Sequence, residues 1–186
     1  MKNYISMICI LSFLMLFQSC SAQAGKGDPQ AVAALVSSGD FSFRAERATP
    51  TNYDVINVMN SLPNTTSTRI LDLSGSNYSI DVRKDKLDVA LPYFGRVFNP
   101  TYGNTREAGF RFSTKDFAVS QSAGRKGKTI VKIKVNDQST VDEITIEVFK
   151  NGKAFTSIRS NDRQPISYDG YITKNEEPKE KPDSGN

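Results

Sequence analysis

No residue of this 186-residue chain is histidine. That removes the usual base that activates a serine or cysteine nucleophile, and the commonest zinc ligand. Base chemistry near neutral pH would fall to carboxylates or lysines with shifted pKa values. Carboxylates are plentiful, with Asp81, Asp85 and Asp88 in one group and Asp137, Asp142 and Glu143 in another. A glycan hydrolase needs two of them facing each other across a cleft. Here they fall on turns or on the polar side of alternating segments, which favours a solvated surface. The stretch Asn136–Glu143 also lacks the alternating ligands and central glycine of a calcium loop. These residues assign no catalytic group, no metal and no cofactor.

One motif imitates a nucleotide site. Ser122-Ala-Gly-Arg-Lys-Gly127-Lys128-Thr129 differs from a phosphate-binding loop only in carrying Ser where the first Gly belongs. Such a loop must follow a strand and open a helix, so that amides and helix dipole converge on the phosphates. Thr129 instead opens Ile-Val-Lys-Ile-Lys-Val, an alternating strand. The motif is a hairpin turn.

Two aromatic and basic clusters are less ordinary. Leu91-Pro92-Tyr93-Phe94-Gly95-Arg96 has Tyr102 nearby, and Asn161 to Tyr171 contains Arg163, Pro165, Tyr168 and Gly170. Proline, glycine and neighbouring aromatics imply a specific backbone path, and Tyr with Arg is common in binding hot spots. The candidate binding surface is therefore Tyr93, Phe94, Arg96, Arg163 and Tyr168. The competing reading makes both clusters structural corners, with tyrosine hydroxyls serving backbone groups.

The elements that must position these residues are mostly strands. Phe41, Phe43 and Ala45 alternate with polar neighbours, as do Ile80 and Val82, and then Leu87, Val89 and Leu91. Val131, Ile133 and Val135 follow, then Ile144, Ile146 and Val148. One-sided alternation suits antiparallel sheets with one buried face. Asn151-Gly152 is a strong hairpin signal between Glu143–Lys150 and Lys153–Ser160. Gly75-Ser76-Asn77 is read as joining strands Ile70–Leu73 and Tyr78–Arg83. Gly124–Lys128 and Asn136–Thr140 supply two more turns. One helix is signposted by Asp28, Pro29 and Gly39, and Asn52–Leu62 leans towards a second, closed by Pro63. The fold class is mainly β: a single domain with an antiparallel curved sheet, half-barrel or sandwich, and one N-terminal helix.

Both termini lie outside that domain. Lys2 precedes an apolar run from Ile5 to Phe17, too short for a permanent span and suited to a secretory signal. Leu16-Phe17-Gln18-Ser19-Cys20 resembles a relaxed bacterial lipobox, with Phe17 in place of the usual Leu. Lipidation of Cys20 would give the two or more acyl chains that stable anchoring requires. The rival is cleavage after Ala22-Gln23-Ala24, which would release a soluble chain starting at Gly25. The expected division is a lipoprotein signal peptide over 1–19, a tether over 20–27, the domain over 28–173 and a disordered tail over 174–186. That tail has no aliphatic or aromatic side chain with which to offset its ordering entropy. Once Cys9 leaves with the signal, no intramolecular disulfide can form.

The domain spans about 145 residues, enough for one core without a metal or disulfide staple. Removing 1–19, whose one charge is Lys2, takes the net charge from +4 to +3. Leaving out the tail, with three basic and four acidic residues, returns it to +4. A mild surplus without a dense basic block argues against nucleic acid.

Three segments carry a resemblance: Phe41-Ser-Phe-Arg-Ala45, Leu91 to Arg96, and Arg163-Gln-Pro-Ile-Ser-Tyr-Asp-Gly170. From about Phe41 to Ile172 the chain resembles a family of uncharacterised lipoproteins from Bacteroidetes-type bacteria, domain-of-unknown-function family 4251. The resemblance implies an envelope lipoprotein, on the periplasmic face or cell surface of the outer membrane. It implies no activity and no catalytic residue. The expected function is a lipid-anchored, non-enzymatic binding domain whose partners are the membrane, through the N-terminal lipid, and a lipid or small-molecule ligand. The alternatives are a protein–protein module of an envelope assembly and, further off, a carboxylate-based glycan hydrolase.

Overall fold

Asp28, Pro29 and Gly39 start and stop a helix by local chemistry alone. In the computed structural model, which describes residues 27–63, 71–98, 109–138 and 140–176, this stretch is α1 (Pro29–Ser38). The Asp28 carboxylate accepts the Gln30 amide at 3.0 Å, serving a donor the first turn leaves without a partner. Gly39 sits at φ 67°, the left-handed conformation that ends a helix without a Cβ clash. Val32, Leu35 and Val36 turn inward and are buried.

Strand β1 (Phe41–Pro50) follows, then a second helix, α2 (Tyr53–Ser61). Asn52 caps α2 by accepting the amides of Asp54 and Val55. Eight more strands complete the fold. They are β2 (Ser79–Val82), β3 (Leu87–Pro92), β4 (Gly109–Thr114), β5 (Phe117–Ala123), β6 (Thr129–Val135), β7 (Val141–Val148), β8 (Lys153–Ser160) and β9 (Ile166–Thr173).

All nine strands share one antiparallel sheet, in the order β4-β3-β2-β1-β9-β8-β7-β6-β5. With nine alternating directions, the two edge strands β4 and β5 run the same way. Only Lys115 and Asp116 join them, so Thr114 and Phe117 lie at most about 11 Å apart. They are two halves of one bent strand, the first paired with β3 and the second with β6. A sheet whose two edges share a strand has to curl, and this one forms a nearly closed barrel.

Register carries the apolar residues to the inner face. Phe43 lies between Ile80 and Ile172, and Ile144 between Ile133 and Ile158. Phe41, Phe43, Ile80, Leu91, Ile144 and Tyr168 are among the fully buried side chains of one continuous core. A barrel of about this strand number is just wide enough for its own side chains to fill. Where β1 and β9 meet, the register slips between Ala45 and Arg47, opposite Gly170 and Asp169. Such a bulge bends and twists the strand that carries it.

The two ends of the barrel differ. The β2–β3 turn (83–86), the β5–β6 turn (124–128), the β7–β8 turn (149–152) and the exit of β9 all lie at the end from which β1 starts. Helix α1 lies across that end, where Gln121 of β5 donates to the Val36 carbonyl at 2.8 Å. Among the described residues no helix is long and apolar enough to cross a membrane.

The helix expected over Asn52–Leu62 is α2, so the described residues hold a second helix beside the N-terminal one. Three sequence expectations need amendment. Leu71–Leu73 is not a strand: Asp72 makes one isolated bridge with Arg47, and β2 pairs with β1 and β3 instead. β4 was not anticipated. Ile166–Tyr171 belongs to β9, a strand in the middle of the sheet, so only Asn161–Pro165 is a corner. The Ser122–Thr129 motif is a hairpin turn, with a short 3-10 segment over Arg125–Gly127 between β5 and β6.

Candidate functional site

The two aromatic and basic clusters, some 70 residues apart in sequence, do come together. Val97 and Arg163 form an isolated bridge, flanked by the bonds Phe98 N–H to Asp162 O (2.7 Å) and Gln164 N–H to Arg96 O (3.1 Å). Tyr93 donates its hydroxyl to the carbonyls of Arg96 (2.9 Å) and Gln164 (3.1 Å). Tyr168 donates to the Pro92 carbonyl at 2.6 Å. Burial pushes both phenols above their ordinary pKa, so both stay neutral donors.

Arg163 is the centre of this clasp. Its side chain is 5% exposed and lies over the rings of Tyr93 and Phe110, at 5.2 and 5.1 Å from their centroids. Its Nε and Nη2 hold the Asp162 carboxylate at 2.9 and 2.8 Å. That fork is the main reason the Asp162 carboxyl sits below the usual range; burial opposes it, and Ser160 adds a second hydrogen bond. Tyr93 and Phe110 meet edge to face at 5.6 Å. Arg163 and Tyr168 are buried, Tyr93 and Phe94 are half-buried, and Arg96 is exposed. The arrangement matches structural corners, because its donors are spent on backbone carbonyls and one neighbouring carboxylate. Tyr102 lies outside the described residues, as do Cys20 and the segment before it.

A recess lies at the other end, over α1. An open cleft of about 830 Å³ has Ala31, Ala34 and Leu35 as its apolar floor and Arg83, Lys84 and Lys174 on its rim. Asp40 and Glu176 also border it. Asn175 fixes this rim by donating to Asp40 and to the Val82 carbonyl, and Glu176 pairs with Arg44 at 2.9 Å. The described chain thus stays on the body three residues past the boundary expected at 173. The sequence does not show the cleft because its walls fall at the end of the strand read over Tyr78–Arg83 and in the segment read as a tail. The visible signal was the pair Ala31 and Ala34 on the outer side of an otherwise apolar helix.

Three of the acidic groups singled out earlier, Asp81, Asp88 and Asp142, are occupied, Asp142 by the Asn161 side-chain amide at 2.9 Å. Asp88 holds Lys86 at 3.0 Å and Arg83 at 3.3 Å, and Asp81 accepts the Ser42 hydroxyl at 2.5 Å. Burial tends to raise the Asp88 pKa, but the Ser113, Lys86 and Arg83 partners together hold it below the usual range. Among the described residues no three His, Cys, Asp or Glu side chains converge on a common point.

Residues 25–172 match the family described as "Domain of unknown function (DUF4251)". The chain belongs to that family. A crystal structure of a DUF4251 family protein from Bacteroides eggerthii superposes with a TM-score of 0.51, at 10% identity, covering 78% of this chain and 87% of that one. At that identity the likeness speaks for the fold alone. No curated protein matches the chain. In this DUF4251 domain the sheet is a nearly closed barrel with a helix across one end, and the recess lies over that helix rather than inside the barrel.

Proposed function

We propose that this DUF4251 domain is an exported, non-enzymatic binding module, anchored through a lipid on Cys20, that holds a lipid or other small amphiphile in the cleft over α1. The cleft itself carries the reading. Its volume lies within the range of small-molecule sites, roughly 300–1,000 Å³. An apolar floor beside three cationic side chains suits a ligand with a hydrocarbon part and an anionic head. The barrel interior is filled by its own side chains, which directs a ligand to a surface recess such as this one.

Two observations support binding over catalysis. The carboxylates of the cleft are engaged by Asn175 and Arg44. Asp72, Asp88 and Asp162 are held below the carboxylate range, against the direction that makes a general acid at neutral pH.

A second reading, a protein–protein module, draws on α2. That helix buries none of its side chains, and Tyr53 and Val58 are 82% and 58% exposed. Apolar surface of this kind fits a macromolecular partner better than a small ligand.

Thermal melting against fatty acids and lysophospholipids separates the two. At about 100 times its Kd, a bound amphiphile adds roughly 2.7 kcal/mol, or about 5–10 °C for a domain of this size. Ala34→Trp fills the cleft from an exposed helix position and is expected to remove that shift. An equal shift in the variant, or none in the wild type, would count against the cleft.

A further inference from the structure

Charge is divided between the two ends of the barrel. The α1 end, among the described residues, carries Arg83, Lys84, Lys86, Arg125, Lys126, Lys128, Lys150 and Lys174 in its connections, against Asp28, Asp40, Asp85 and Glu176. The opposite end, among the described residues, carries Asp54, Asp72, Asp137 and Asp162 against Arg96 and Arg163. The net charges of these residues are +4 and −2. Some cations at the basic end are neutralised, Lys128 by Glu147 at 2.5 Å and Arg83 and Lys86 by Asp88. Lys84, Lys126, Lys150, Lys174 and Lys153, the first residue of β8, have no ion-pair partner among the described residues.

The basic end also has an aromatic tip. Phe149 is 43% exposed and shares a second open recess with Lys126, Lys150, Lys153 and Arg47, where four cations outnumber the two carboxylates of Glu46 and Asp169. The β5–β6 and β7–β8 turns meet there, with the Lys150 side chain packed against Gly127. An exposed ring beside three lysines is the composition of a surface that enters the headgroup layer of an anionic bilayer. This is also the end from which the chain leaves towards its N-terminus. Asp28 is eight residues from Cys20, a reach of about 28 Å at full extension. A tether that short keeps the α1 end near any membrane holding the anchor.

We infer that the basic end is a docking surface for an anionic lipid bilayer, contacted by Lys126, Lys150, Lys153 and Phe149, which seats the domain α1-end down beside its anchor. The cleft over α1 then opens towards the membrane. The anchor reading enters only through the tether, so the test is made without acylation and the two can fail separately.

The mature chain from residue 20, carrying Cys20→Ser, is partitioned onto phosphatidylcholine vesicles with and without phosphatidylglycerol. Binding to the anionic vesicles is expected to exceed binding to the neutral ones by about tenfold or more at roughly 0.1 M salt, and to fall away near 0.5 M. Lys126→Glu/Lys150→Glu/Lys153→Glu should abolish the preference, and Phe149→Ala should weaken it. Replacement of the three lysines by arginine should preserve it. These side chains are exposed, so unchanged melting curves verify that the variants fold. Equal partition onto the two vesicle types, or a preference that survives charge reversal, would overturn the docking surface.

Discussion

Arg163→Ala is expected to destabilise the domain by about 3 kcal/mol or more, read as a shift in the denaturant midpoint at constant slope. The guanidinium is buried, so its loss leaves the part-buried Asp162 carboxylate without its fork and takes a cation from above two aromatic rings. The Val97–Arg163 bridge beside it is made by backbone groups, so alanine leaves it in place and the loss reads the side chain alone. Arg163→Lys keeps the charge but not the planar fork, and should fall between wild type and alanine. The acid limb offers a separate readout. The Asp162 pKa is depressed in the folded state, so its contribution is fully present above the unfolded carboxylate value of about 3.9. It is lost as pH falls through the folded value. Wild-type stability should therefore drop on acidification below about pH 4, and Arg163→Ala should drop less steeply there. An alanine variant as stable as wild type, with the same acid limb, would refute the clasp.

Gly170→Ala is expected to cost about as much, for a different reason. A Cβ at this position would overlap the Arg44 carbonyl oxygen and lie 3.0 Å from the Phe43 ring. Neither neighbour can withdraw, because Arg44 is backbone in the strand paired with β9 and Phe43 is fully buried. Overpacking against flexible neighbours costs about 1–3 kcal/mol, and a fixed carbonyl puts this case at the upper end or beyond. Gly39→Ala makes the control. Gly39 has a positive φ but open space around it, so alanine there should cost only about 1–2 kcal/mol. Equal losses at the two positions would mean that close strand approach is not what Gly170 provides.

What could be read from the sequence was local. Asp28, Pro29 and Gly39 specify α1 because capping involves residues within a few positions of each other. Asn151-Gly152 specifies the β7–β8 hairpin for the same reason, and the alternation of β3, β6 and β7 marks one buried face. What could not be read was long-range. Gly109–Thr114 has Phe110 and Phe112 at strand spacing, but nothing in it announces that β4 continues through Lys115-Asp116 to the far edge of the sheet. The choice of barrel over sandwich rests on that link. The composition of Ile70–Leu73 fits a strand, yet its described part, Leu71–Leu73, reaches β1 through a single bridge.

The candidate site shows the same division. Tyr93, Arg163 and Tyr168 were identified as unusual, and they do meet. Their burial was hidden, because an arginine is a surface residue unless a carboxylate and two rings are brought to it by other segments. The cleft over α1 was invisible for a related reason. Its floor is local to one helix, but its rim is assembled from residues 83–84 and 174–176, which only the closed barrel brings to that helix.

The most direct measurement is native mass spectrometry on the protein purified from membranes with Cys20 intact. The account predicts a chain beginning at an acylated Cys20 that carries a non-covalent lipid or small amphiphile, released on denaturation and missing from Ala34→Trp. A chain beginning at Gly25, or an acylated protein that retains nothing under the gentlest extraction, would contradict it.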